Sequence, residues 1–228
     1  MSHEGFTPQH RAFGRAAAWA VSVLLVVYAV TTVLGFLSLA SPSDPIGDPY
    51  FTVMELLIIL IAPLMVITMV AVHAYASPGA RFYSLMALVF MIILAGITSC
   101  VHFVVLSVSH QIEAAGLTGA SLLFSFNWPS AVYALDIFAW DWFFALSMLF
   151  AAPVFKGGRL ETGVRVTMVI CGILSLAGLI GVALANMQIR DIGIIGYAMV
   201  SVVVFLLLGI VFGRTPGVEG DCGQTNDS

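Results

Sequence analysis

The run Asn127 to Phe155, NWPSAVYALDIFAWDWFFALSMLFAAPVF, decides how the chain is read. It is long and apolar enough for a membrane-spanning helix, for which about 20 residues suffice. Yet it carries two aspartates, Asp136 and Asp141. An acid at the centre of a span costs roughly 2.5–3.5 kcal/mol on insertion scales, so the fold or the function has to offset it.

The rest of the chain has the same character. Of 228 residues, 61% are hydrophobic and only 9% are charged, against about 25% charged in a soluble domain. Mean hydropathy is +1.07. Most of the chain therefore meets no bulk water, and the class is an all-α polytopic membrane protein. Apolar runs predict six transmembrane helices at residues 16–40, 51–75, 82–107, 129–152, 163–185 and 192–212. Residues 1–15 form a polar N-terminal segment, and the Gly-, Asp- and Asn-rich residues 213–228 read as a disordered tail. Ser38-Leu39-Ala40 has the form of a cleavage site, but the preceding run exceeds the ~7–15 residues of a signal sequence, so no cleavage is expected. Pro63 is expected to kink the second span. Pro129 suits the first turn of the fourth, with Asn127 or Trp128 near its cap. The long connection before it holds Leu117, Leu122, Leu123, Phe124 and Phe126, which predicts that part of it folds over the bundle or lies in the interface.

Basic residues set the orientation. With six spans, Arg11, Arg15, Arg81, Lys156, Arg159, Arg165 and Arg214 share one side, and Arg190 stands alone on the other. The positive-inside rule makes that first side, with both termini, cytoplasmic. The expected home is a cytoplasmic membrane of the bacterial kind.

Span direction and the 1.5 Å rise per residue then give depth. Glu55 lies about one turn below the outer surface. His102 is in the outer part of the third span. Asp136 and Asp141 lie roughly 10 and 18 Å below the start of the fourth. Three helices thus place ionisable groups in the outer half. Tyr133, Asp136 and Trp140 share one helix face. Asp141 is turned about 140° from Asp136, so an undistorted helix cannot aim both at one spot. Asp136 is read as facing the bundle centre and Asp141 as pairing sideways. The catalytic candidates are therefore Asp136, Glu55, His102 and Asp141, with Tyr133, Trp140, Trp128 and Arg190 as substrate-binding candidates. The competing reading is interhelical hydrogen bonding, in which Asp136 is bonded to His102, Ser99 or Tyr133 and simply holds the bundle together. Arg190 either pairs with Asp191 or turns inward toward Asp136, Glu55 or an anionic head group. Trp128 and Trp142 also suit an interfacial belt, and His73 suits the cytoplasmic interface.

Several classes are excluded. A retinal Schiff base needs an intramembrane lysine, and the only lysine, Lys156, lies in a loop. His73 and His102 lie at opposite ends of their spans and cannot clamp one haem. No P-loop, H-E-x-x-H or G-x-S-x-G motif occurs, and no basic stripe suggests nucleic acid. Cys100, Cys171 and Cys222 have no ligand or disulfide spacing and read as small buried apolar residues. The pairs Gly96 with Cys100, Gly178 with Gly181, and Gly193 with Gly196 read as close helix contacts. No metal and no cofactor is expected; the expected partners are membrane lipid, a lipid-soluble small molecule and a partner subunit.

Three functions remain. The first is an intramembrane enzyme or binder for an isoprenoid, quinone, sterol-like or carotenoid molecule, using carboxylates and His for protonation-driven isomerisation, hydration or cyclisation. The others are a proton-linked transporter or channel, and a sensory or scaffold subunit.

Overall fold

The computed structural model describes residues 5–41, 44, 46–109, 111–112, 116 and 121–216, with the side chains of 109 and 121 excepted. His110, Glu113, Leu117, Cys222 and the tail beyond residue 216 lie outside the described residues.

Six helices are long and apolar enough to cross a membrane: α1 (Pro8–Leu37), α2 (Tyr50–Tyr75), α3 (Pro78–Val108), α4 (Ala131–Val154), α5 (Arg159–Ala183) and α6 (Met187–Arg214). No strand occurs among the described residues. Each helix packs on its neighbours in sequence, and α6 packs back on α1, which closes a ring. Apolar side chains such as Val23, Leu60, Ile92, Phe103, Ile173 and Val203 face outward, as a bundle surrounded by lipid requires.

Local chemistry explains the helix ends. α1 begins ahead of its apolar run because Thr7 caps it. The Thr7 Oγ1 accepts from the His10 N–H (3.3 Å), and His10 Nδ1 accepts from the Thr7 N–H (3.3 Å). α2 runs unbroken through Pro63. The cap of α4 is Ser130, not Asn127 or Trp128: its hydroxyl accepts from the Tyr133 N–H and donates to the Ser125 carbonyl. Pro129 therefore precedes the helix instead of opening it.

The turn into α6 departs further from expectation. Residues 186–191 read as a loop, but Asn186 caps a helix there. Its side-chain oxygen accepts from the N–H groups of Gln188 (3.1 Å) and Ile189 (3.2 Å). The reversal is compressed into Leu184 to Asn186, with Ala185 at φ +52°. Gly181 permits it, since a Cβ there would overlap the backbone of Arg190. Arg190 consequently sits on a helix and not in a loop.

The connection before α4 splits its apolar residues. Phe124 and Phe126 pack against Val101, Val105 and Val132, whereas Leu122 and Leu123 are exposed. Two packing expectations fail. A Cβ on Gly96 would meet nothing, and Cys100 is exposed, so that face of α3 makes no close helix contact. Cys171 is buried, and its thiol donates to the Gly196 carbonyl (3.0 Å).

Toward the termini the core is dry. Ile61, Met65, Met69, Met91, Leu94, Met148 and Phe144 are fully buried. Below them Phe6, Tyr75, Phe155 and Phe212 stack edge and face, with Tyr75 5.5 Å from Phe155 and 5.8 Å from Phe6. The buried ionisable residues Glu55, His102, Asp136, Asp141 and Arg190 collect at the opposite end.

Candidate functional site

The site grows from α3. Thr98 and His102 are four residues apart on one helix face, and both point into the ring. His102 Nδ1 lies 2.6 Å from Glu55 Oε2 on α2. With Glu55 ionised, the proton of this short bond sits on Nδ1; the other nitrogen accepts in the neutral imidazole and donates in the imidazolium. That nitrogen, Nε2, lies 3.3 Å from Asp136 Oδ1 on α4, yet outside hydrogen-bond geometry. Asp136 accepts instead from the Thr98 hydroxyl (3.2 Å), and the Trp140 indole N–H donates to Thr98 Oγ1 (3.0 Å). Glu55, His102, Asp136, Thr98 and Trp140 therefore form one continuous buried polar chain.

A second layer lies beside it. Arg190 Nε is 3.5 Å from Asp141 Oδ2, and both side chains are sealed from solvent at 3% and 0% exposure. Both Asp141 oxygens and Arg190 Nε lack a hydrogen-bond partner, so the pair is held by charge alone. The Arg190 guanidinium also lies over the rings of Tyr133 (5.5 Å) and Tyr197 (5.7 Å), a cation–π clamp. Asp141 fits because α5 and α6 are notched there. A Cβ on Gly178 would come within 3.0 Å of Asp141 Oδ1, and one on Gly193 would overlap it.

Both aspartates face inward because α4 is not a regular helix. Phe138–Phe144 is a π-helical segment, which takes up extra residues per turn and re-aims the side chains beyond it. Asp136 before the segment and Asp141 within it are both buried, and each has its own partner. Arg190 meets neither Asp136 nor Glu55 at ion-pair distance among the described contacts; its partner is Asp141.

Of the eight expected site residues, Glu55, His102, Asp136, Asp141, Tyr133, Trp140 and Arg190 come together. Trp128 does not: it is 39% exposed on the connection before α4. Three contributors were not anticipated. Thr98 stands where Ser99 had been considered; the four-residue spacing from His102 was the available signal. Tyr28 of α1 lies within electrostatic reach of Asp136, Glu55 and Arg190, and Tyr197 of α6 does so toward Arg190, Asp141 and Asp136. Phe126, on the connection before α4, covers the cluster, 5.5 Å from the His102 ring and 5.1 Å from Tyr133. His73 is far away, 2.9 Å from Ser84 Oγ.

Comparison with protein-family models, curated proteins and solved structures finds no match. Chemically, the arrangement holds an imidazole between two carboxyl groups, one of them at hydrogen-bond distance, with the Phe126 ring against it. No group of three His, Cys, Asp or Glu side chains suited to hold a metal ion occurs among the described residues.

Proposed function

We propose that this chain is an intramembrane acid–base enzyme, or a binder, for a lipid-soluble substrate of isoprenoid, quinone or sterol-like type. The observation that carries the reading is His102. A carboxylate fixes one ring nitrogen, while the other is buried, without a hydrogen bond, beside a second carboxyl group. A purely structural histidine gains from satisfying both nitrogens, because a buried unsatisfied group costs about 1–3 kcal/mol. A catalytic base needs one nitrogen oriented and the other open.

The roles follow. Asp136 in its acid form gives a proton to one carbon of an alkene, whose π pair forms the new C–H bond. Positive charge develops on the neighbouring carbon. His102 Nε2 takes a proton from the next carbon, and that C–H pair re-forms the double bond one position along. Transfer across the 3.3 Å gap from His102 to Asp136 resets the site. Glu55 holds the imidazole in orientation, and Thr98 with Trp140 holds Asp136. Phe126 and the apolar core keep out water.

Transport is the weaker reading. Thr68, Ser84 and Ser147, buried hydroxyls of the other half, each donate to a main-chain carbonyl. Fully buried Met65, Met69, Met91 and Met148 lie between the cluster and His73. A proton relay would need polar groups there. The distribution of basic residues supports cytoplasmic termini and a site in the outer half of the membrane.

Native mass spectrometry of the purified protein beside Asp136→Asn tests this. The expected result is a lipid-like adduct of defined mass in the wild type, depleted in the variant. Adduct and turnover that survive both Asp136→Asn and Glu55→Gln would sink the proposal.

A further inference from the structure

Two glycines near the end of α6 receive side chains of α1, far from the cluster of acids. A Cβ on Gly209 would overlap the indole of Trp19, and one on Gly213 would lie 3.6 Å from the Arg15 side chain. Four residues apart, the glycines share one face of α6 and seat Trp19 and Arg15 against it. The Arg15 guanidinium lies over the Trp19 ring, 5.4 Å from its centroid. Ala12 and Ala16 lie on the same face of α1. Their small side chains leave a groove of about 290 Å³ beside the pair, lined by Ala12, Arg15, Ala16 and Trp19.

Charge at this end is one-sided. Every Lys and Arg except Arg190 lies at the end of the bundle that carries the termini. Among the described residues the one acid there is Glu161, whose carboxylate lies by Gly158. Arg11 donates to the Gly213 carbonyl (2.7 Å). The Arg15 guanidinium has no ion pair or hydrogen bond among the described residues. Arg214, one residue past Gly213, is exposed. One helical turn beyond Trp19 and Gly209, the exposed side chains Val23 and Leu206 continue the outer surface in apolar form.

We propose that this groove holds a phospholipid with an anionic headgroup. Its phosphate takes the planar fork of Arg15, a geometry suited to two parallel hydrogen bonds, and an acyl chain runs along Trp19, Val23 and Leu206. Stacking on the indole fixes the guanidinium before the lipid arrives. The surplus of basic residues selects a negative headgroup over a zwitterionic one. A lining that is apolar apart from Arg15 selects a lipid over a free anion. This goes beyond the acid–base reading and uses the opposite end of the bundle.

Native mass spectrometry of the delipidated full chain tests it, with 1-palmitoyl-2-oleoyl-phosphatidylglycerol beside phosphatidylcholine of the same chains. The expected result is a first phosphatidylglycerol adduct at least about tenfold tighter than the phosphatidylcholine one. Arg15→Gln, at an exposed position, weakens it about fivefold, the share of one interfacial cation, and Trp19→Leu also weakens it. Arg165→Gln, an exposed base on α5 that does not line the groove, leaves it unchanged. Equal affinity for the two lipids overturns the proposal, as does equal loss in Arg15→Gln and Arg165→Gln, which marks diffuse surface charge. Displacement by an equal concentration of inorganic phosphate overturns it in favour of a free-anion site. A dimer that takes up no lipid and that Trp19→Leu dissociates gives the face to a second copy. The phosphatidylglycerol adduct persists in Asp136→Asn, and the Asp136-dependent adduct persists in Arg15→Gln, so either proposal can fail without the other.

Discussion

His102 and Arg190 are both buried bases, but they answer different questions. Arg190 is matched by one acid, and removing either partner strands a charge. Arg190→Met is expected to destabilise the protein by about 3–5 kcal/mol, and Arg190→Met with Asp141→Leu to recover most of it. Unfolding by SDS titration in mixed micelles checks this; equal loss in the single and double variants would mean that the two do not interact. Thr98 stands between a donor and an acceptor. Thr98→Val leaves the Trp140 N–H and an Asp136 oxygen without their partner, at about 1–3 kcal/mol for each buried group. The same titration reads it, with exposed Asp191→Asn as a comparison expected to fall within about 0.5 kcal/mol of wild type.

At the scale of elements, two irregularities build the site: the π-helical segment Phe138–Phe144 of α4 and the glycine notch of α5 and α6. A regular helix advances about 100° per residue. Deleting Ala139 is expected to restore that geometry and swing Asp136 out of reach of His102. The lipid adduct should then disappear from the native mass spectrum while the helical circular-dichroism signal persists. Gly193→Ala places a methyl group on Asp141 Oδ1 and is expected to cost about 1–3 kcal/mol through overpacking. Gly96→Ala meets open space and should be neutral or gain about 0.5–1 kcal/mol from reduced backbone freedom. Equal melting shifts for the two alanine variants would show that the notch does not hold Asp141.

For the molecule as a whole, the ring of six helices gives each span two neighbours and one shared interior. The apolar half has methionine and aromatic filling, and the other half holds the charges. On the proposed reading, orientation decides which side of the membrane a substrate would enter from. In a cysteine-free background, Asp191→Cys is expected to react with an impermeant maleimide added outside intact cells, and Lys156→Cys only after permeabilisation. The opposite pattern would put the site in the cytoplasmic half.

The sequence by itself determined membrane residence, the six spans and the level at which Glu55, His102 and Asp136 meet. These depend on local quantities: hydropathy along a run, the direction of each span and the rise per residue. The inward face shared by Tyr133, Asp136 and Trp140 was legible for the same reason. What the tertiary structure alone decided was partnership. Arg190 read as a loop residue because the capping power of Asn186 depends on how tightly α5 and α6 can turn, and Gly181 sets that. Asp141 read as turned from Asp136 and pairing sideways, and it lies apart from Asp136 against α6; that its partner is Arg190 depends on the π segment of α4 and the notch of α5 and α6. Tyr28 and Tyr197 carried no local signal at all; each is one aromatic in an apolar span, and only closure of the ring brings them to the acids. Hydropathy is summed over neighbours in sequence, whereas charge pairing depends on which helix faces which, and that is fixed by packing.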